Sequence, residues 1–455
     1  MIRAHTVAQV RAAEEPLLAA GVPLMARAST ALAVETAKRL PFVYGARVVL
    51  LVGKGNNGAD ALWAGVNLAR RGCQVVAVLT GDPVPDAFSA FLDAGGRIGT
   101  VEAVVGAEAV LDGIVGIGAV GPLRSSVPDL HDVPLVVAVD VPSGVEADTG
   151  EVHDRAVRAD VTVTFGTCKP GLLLARDHVG ELVVVDLGLD LPSAPVEALT
   201  GVRLPDPPRS SDKFTRGVVG VAAGSEEYSG AALLAVGAAV RAGAGMVRYA
   251  GSAADRVRDR WPEAVVTEHV KDAGRVQAWV VGPGLGVTSY DCVEEVLAQD
   301  LPVLVDADAL TICAQAPSLL RDRTAPTLLT PHDREYARFG REVGPDRIDA
   351  ARRLAEDLGV HVLLKGDATV VVGPTGPARV NTTGSALLAT AGTGDVLAGA
   401  TGALLARGLD PLDAGSAGAF LHGLAADLSE AGVATSAGQV LEAWPAAVRE
   451  ALLRD

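Results

Sequence analysis

The chain has 455 residues, 49% of them hydrophobic, with 39 basic and 55 acidic side chains and a formal net charge of −16. That length suits two or more domains, and the apolar share excludes a disordered or fibrous chain. The acidic balance argues against electrostatic binding of nucleic acid, although backbone N–H groups can still give a small anion a local positive field.

The N-terminal "MIRAHTVAQVRAAEEPLLAAG" is amphipathic and charged throughout, unlike a signal peptide. Six strand-like apolar runs follow in the first half: "ARVVLLVG", "CQVVAVLT", "AVLDGIVG", "PLVVAVDVPSG", "DVTVTFG" and "ELVVVDLG". Between them "NGADALWAGVNLARRG" and "VPDAFSAFLDAGG" read as helices. Continuous rather than alternating hydrophobicity predicts a parallel sheet covered on both faces. The proline-rich "LDLPSAPVEALTGVRLPDPPRSSDKFTRG" then breaks the pattern as a linker. After it come "GVVGVAAGS", "GMVRYAG", "AWVVGPGLG", "LPVLVDADAL", "APTLLTPH", "VHVLLKG" and "ATVVVG". The expectation is two α/β domains, 1–205 and 206–455. Cys73, Cys168, Cys292 and Cys313 lack metal-ligand spacing, which predicts buried thiols in a reducing compartment. No apolar run is long enough to span a bilayer, so a cytoplasmic location with no membrane partner is the default.

In the first domain "VGKGNNGADALWAG" closes a strand and opens a helix. Gly53, Gly55 and Gly58 carry the spacing of a dinucleotide-binding turn, without the acidic residue that would hold a ribose. A tight strand–helix connection explains the same glycines with no ligand. Asp140, in "VDVPSGVEADTG", ends a strand where open sheets bind ligands, though turn chemistry accounts for it equally well. Asn57, Asp112 and Ser143 can offer oxygens to a hard monovalent cation.

Together these residues resemble the YjeF N-terminal family, the epimerases of hydrated NADH and NADPH, over roughly residues 1–205. The resemblance implies a Rossmann-like three-layer α/β/α domain. Substrate contacts would fall on Asn56, Asn57, Gly58, Ala59 and Asp60, on Gly116, Ile117, Gly118, Ala119, Val120, Gly121 and Pro122, and on Asp140. Potassium would sit at Asn57, Asp112 and Ser143, and Asp140 is the candidate catalytic acid/base. Ala59 and Ala61 stand where the family motif has glycines, Ile117 where threonine is common, and Ala26 where "LMARA" usually carries glutamate. The extra methyl at Ala59 is expected to crowd a backbone–ligand contact.

In the second domain "ATAGTGDVLAG" puts a glycine turn at the head of an apolar helix. The N–H groups of Ala391, Gly392, Thr393 and Gly394 would form an anion hole for a transferred phosphoryl group. Asp395 beside it can take a proton from an attacking hydroxyl, or serve as a first-turn dipole partner. Lys365 in "LLKGDATVVVG" could meet phosphates, or be a solvated hairpin lysine; His332 and Glu335 in "LLTPHDRE" follow a strand end, where a lone histidine is more often structural. "GPGLG" is a candidate ligand loop, and Gly230 and Ala231 could floor a pocket.

These motifs, with "VDADAL", resemble the YjeF C-terminal family, nucleotide-dependent dehydratases of NADH and NADPH hydrates with a ribokinase-like fold, over roughly residues 206–455. The resemblance implies catalysis by Asp395 and hydrate contacts at Ala231, Gly284, His332 and Asp395. Nucleotide contacts would fall on Lys365, Gly366, Asp367, Ala368, Thr369 and Gly394. Asp333 and Asp212 replace a common proline and histidine. The implied function is bifunctional repair of NADHX and NADPHX. The first domain would interconvert the R and S hydrates; the second would phosphorylate the S hydrate from ADP and eliminate phosphate to restore NAD(P)H. ATP is the other candidate donor, magnesium would accompany the nucleotide, and a homo-oligomer is expected. The phosphate motif alone also allows a small-molecule kinase for a vitamin precursor, and the departures at Ala59 and Ala61 allow a first domain that only binds.

Overall fold

The computed structural model describes residues 1–123, 127–205, 207–429 and 435–454. They divide into two compact units, Arg3–Val196 and Glu197–Asp455 with Met1–Ile2. The break falls inside the proline-rich segment, ahead of the expected boundary at 205; Asp206 lies outside the described residues.

In the first unit the sheet runs Arg97–Gly99, Gln74–Leu79, Arg47–Val52, Ala109–Gly113, Val136–Val139, Val161–Phe165, Glu181–Val185 from edge to edge. Every pairing is parallel. Ala109–Gly113, Val136–Val139 and Val161–Phe165 are buried at every position, which explains their unbroken runs of apolar residues. The six anticipated strands are all present. Arg97–Gly99 is an additional edge strand, three residues long and largely exposed, and so lacked a hydrophobic signal. Chain order reverses between Arg47–Val52 and Ala109–Gly113. The loops leaving those two strands therefore diverge and open a crevice at their carboxyl ends.

The second unit repeats this plan. Nine consecutive strands of its sheet run Val265–Thr267, Met246–Ala250, Val218–Ala222, Ala278–Val281, Val303–Val305, Thr327–Leu329, His361–Leu364, Val370–Val372, Ala378–Val380. Order again reverses, here between Val218–Ala222 and Ala278–Val281. The pairings are parallel as far as His361–Leu364. The last two are antiparallel, because the short turns after His361–Leu364 and Val370–Val372 leave no room for a crossover helix.

Helix Thr393–Ala406 packs into this core with all but its first-turn glycine and aspartate buried. Its N-cap, Gly392, has φ +89°, and a Cβ there would come within 2.6 Å of Leu234. Both the left-handed backbone and the close approach require glycine. Among the described residues no single helix is long and apolar enough to cross a membrane.

Candidate active sites

The reversal point of the first sheet holds a cavity of about 490 Å³. Helix Asn56–Arg70 starts at its floor, directly after Arg47–Val52, and contributes Asn56, Asn57 and Asp60; the loop after Ala109–Gly113 contributes Gly116, Ile117, Gly118 and Ala119. Arg11 and Glu14 reach it from helix Val7–Ala19.

Asp140 stands at the end of Val136–Val139 with φ +67°, a left-handed conformation that an aspartate adopts at a cost. Three donors converge on its Oδ1: Lys169 Nζ at 2.6 Å, Thr164 Oγ1 at 2.9 Å and Phe165 N at 3.3 Å. Lys169 is 1% exposed and also donates to Thr164 Oγ1 at 2.9 Å and Phe165 O at 3.0 Å, so all three of its protons are used. The sequence reading passed over Lys169. Its signal was a lysine embedded in "FGTCKPGLLL", an apolar stretch at another strand end where a solvated lysine has no place.

Asp112 is fully buried. It accepts from Ser143 Oγ at 2.6 Å, Ser143 N at 2.8 Å and Ile114 N at 3.3 Å. Burial pushes its carboxyl up, and the Ser143 contacts oppose that. No lysine or arginine pairs with it among the described residues. Asn57 turns its amide N–H groups to Val115 O at 2.8 Å and Val139 O at 2.6 Å, locking the helix start to both neighbouring strand ends.

Not every predicted contact faces the cavity. Gly58 is held against the preceding strand, where a Cβ would lie 2.1 Å from Gly53 O, and Ala59 is fully buried. The Ala59 methyl therefore points into the core, and the expected crowding of a ligand there is corrected. Ala61 is also buried, against the end of the Ala109–Gly113 strand. Val120 is 85% exposed, and Gly121 N is tied to Glu146 Oε1 at 3.0 Å.

In the second unit the strand ends converge on the head of helix Thr393–Ala406. Lys365, just past His361–Leu364, donates to Asp306 Oδ1 at 2.8 Å and lies 3.5 Å from Glu335 Oε2. Its ammonium is 3.7 Å from where a Cβ on Gly394 would sit, which places it at the helix N-terminus. The solvated-hairpin reading of Lys365 is thus overturned: burial opposes its charge, but Asp306 and Glu335 outweigh that and raise its pKa.

Asp395 occupies the first turn beside this cluster. Burial, then the Asp306 carboxylate, push it up to about 7, with Lys365 pulling the other way. Thr393 turns its hydroxyl back to Leu388 O and Thr390 O, both at 2.9 Å, bracing the turn. His422 is 7% exposed and contacts the Thr393 backbone; burial pulls it down to about 4, so it is neutral at physiological pH.

His332 caps helix Asp333–Ala337: its Nδ1 accepts from Arg334 N and Glu335 N, while Glu335 Oε2 accepts from His332 N at 2.9 Å. A structural histidine was one of the two readings, and capping is what its ring does here. Gly284 lies against Ala231, with a Cβ at Gly284 coming within 2.7 Å of Ala231 Cβ. Arg347, unmarked in the sequence, clamps the turn after Lys365. Its guanidinium donates to Lys365 O at 2.8 Å and Ala368 O at 3.3 Å and pairs with Asp333 at 3.0 Å. Asp333, the replacement for proline, therefore has a partner. Asp306 was also missed; its signal was an aspartate directly after "VLV", and Thr330 Oγ1 orients it at 2.8 Å.

Two family models match, the YjeF-related protein N-terminus over residues 21–171 and NAD(P)H-hydrate dehydratase over 219–445. A Mycobacterium leprae protein named bifunctional NAD(P)H-hydrate repair enzyme is 48% identical over 453 residues, covering 94% of each chain. This chain belongs to that family of bifunctional repair enzymes. Its second unit resembles a ribokinase-like superfamily protein from Enterococcus faecalis, with TM-score 0.51 and 26% identity over 58% of this chain and 98% of that one. An ADP/ATP-dependent NAD(P)H-hydrate dehydratase from Bacillus subtilis, co-crystallised with ATP and Mg2+, overlays with TM-score 0.49 and 29% identity over 55% and 94% of the two chains. The repair enzyme thus pairs a Rossmann-like α/β domain with a ribokinase-like one.

Proposed function

We propose that residues 1–205 interconvert the R and S hydrates of NADH and NADPH, and that residues 206–455 return the S hydrate to the dinucleotide at the expense of ADP. The observation that carries the dehydratase assignment is the position of Asp395, its carboxyl pushed by burial up to about 7, beside a glycine turn and the Lys365 ammonium. A group with a pKa near 7 is suited to take a proton from the hydrate hydroxyl as it attacks the terminal phosphorus of the nucleotide. The backbone N–H groups of Ala391 to Gly394, with Lys365, offset the charge on the transferred group. Loss of that phosphate then breaks the C–O bond, the ring nitrogen pushing its lone pair forward, and loss of a ring proton restores the dihydronicotinamide. AMP and phosphate are the other products.

We assign the hydrate to Ala231, Gly284, His332 and Asp395, and the nucleotide to Lys365, Gly366, Asp367, Ala368, Thr369 and Gly394. Magnesium would enter with the nucleotide and offset phosphate charge. The nearby Asp306 and Glu335 are already committed to Lys365, and Asp308 to Gly286 N at 2.8 Å, so these three carboxylates form no cage for it. In the first domain Asn57, Asp112 and Ser143 fit potassium: a buried carboxylate bonded to a hydroxyl, with no lysine or arginine paired to it among the described residues, suits a large monovalent ion, and Asn57 could add its amide oxygen. Potassium would offset the Asp112 charge and fix the loops that frame the cavity. We place the enzyme in the cytoplasm as a homo-oligomer, with no nucleic-acid or membrane partner; light scattering reads its mass.

The test is to incubate hydrated NADH with the protein and ADP or ATP and follow recovery of dihydronicotinamide absorbance. Recovery without any nucleotide overturns the dehydratase reading. A stable phosphorylated product in place of NADH would instead identify a small-molecule kinase.

A further inference from the structure

Asp60 is the polar group of the first unit that local structure does not explain. It lies within helix Asn56–Arg70, past the position of any N-cap, and is 8% exposed. Its Oδ1 is buried without a hydrogen-bond partner, yet the residue lines the cavity. A buried carboxyl oxygen left unpaired costs stability, and such groups persist chiefly where a ligand or a reaction uses them. Asp140 lines the same cavity, with its Oδ1 held by Lys169. Asp60 comes from the helix that follows Arg47–Val52 and Asp140 from the end of Val136–Val139, with Ala109–Gly113 between those strands, so they approach the cavity from different elements.

Their surroundings also differ. Asp140 is ion-paired with Lys169 at 2.6 Å. Burial, followed by the Asp140 and Glu14 charges, pushes the Asp60 carboxyl well above the usual range. Two carboxyls in one pocket, one paired with a cation and the other unpaired and desolvated, are the arrangement that separates an acid from a base.

On the epimerase reading given above, we infer that Asp60 is the catalytic proton donor of the first unit and that Asp140, positioned by Lys169, is the acceptor. Asp60 gives its proton to the hydroxyl on the carbon beside the ring nitrogen. The C–O bond breaks, its electron pair leaves with water, and the nitrogen lone pair forms a planar C=N iminium. The Asp140 carboxylate offsets that cation. Water then adds to the other face: its lone pair forms the new C–O bond, the C=N pair returns to nitrogen, and the surplus proton goes to Asp140. The net transfer, one proton from Asp60 to Asp140, is reset through solvent, and no oxidant or second reactant is needed.

The experiment uses the full chain with Asp60→Asn and Asp60→Ala, following exchange of purified R and S hydrates by chromatography with no nucleotide present. Both variants should slow exchange by roughly 100-fold or more, the usual share of a general acid. Both should retain nucleotide-dependent recovery of NADH from the S hydrate, which reports that the chain is folded. The wild-type rate should fall at high pH as Asp60 loses its proton, and that limb should vanish in Asp60→Asn. Exchange within about twofold of wild type in Asp60→Asn, or an unchanged alkaline limb, overturns the assignment. Wild-type exchange no faster than the spontaneous rate overturns the epimerase reading itself.

Discussion

Each unit sets a lysine–aspartate pair at the carboxyl ends of a reversed sheet, but the lysines are paired with different partners. Lys169 contacts Asp140, the carboxylate facing the first cavity, at 2.6 Å. Lys365 contacts Asp306 at 2.8 Å and leaves Asp395, the carboxylate beside the glycine turn, to burial and to the repulsion of Asp306. With Lys365 drawn to Asp306, burial and the Asp306 charge push the Asp395 carboxyl up to about 7. The same pair of residue types thus ties the lysine to the cavity-facing carboxylate in one unit and to its neighbour in the other.

Mutation can separate the two roles. Asp395→Asn should lower nucleotide-dependent recovery of NADH by roughly 100- to 10,000-fold while hydrate exchange is retained; equal loss of both activities would remove Asp395 from the second site. Lys169→Met leaves Asp140 without its cation in a buried setting. It should cost about 3–5 kcal/mol of stability in denaturant melts, the scale expected for one broken buried pair.

The third test is pH. Asp395 must be unprotonated to accept a proton, so dehydratase kcat/KM should fall about tenfold per unit as pH drops below about 7, and Asp395→Glu should shift that limb. A flat profile between about pH 5 and about pH 8 would mean that another group is the base. Arg347→Ala, which frees the turn after Lys365, should raise the nucleotide KM several-fold with kcat much less affected. The smallest effect is expected from Ala59→Gly. Its methyl is buried away from the cavity, so hydrate exchange should stay within about twofold of wild type.

The strands that bear these sites were legible because parallel strands buried on both faces carry unbroken apolar runs, as Ala109–Gly113 and Val218–Ala222 do. The edge strand Arg97–Gly99 and the interior strand Ala378–Val380 were not, because each is three residues long and includes an arginine, so neither forms an apolar run. Among site residues, the glycine turns and Asp140 and Asp395 stood out from their local motifs. Lys169, Asp306 and Arg347 did not, since each acts through a partner 29, 59 or 18 positions away in the chain.

The sequence by itself determined the two-unit α/β plan, the glycine turn ahead of helix Thr393–Ala406 and the family to which the chain belongs. Those depend on local backbone requirements and on hydrophobic runs, both of which are written in consecutive residues. Tertiary structure alone decided which carboxylates share a lysine, that the Ala59 methyl faces the core, and that His332 caps a helix through its Nδ1. Charge state and side-chain direction depend on neighbours brought together from distant strands, and no local stretch of sequence contains them.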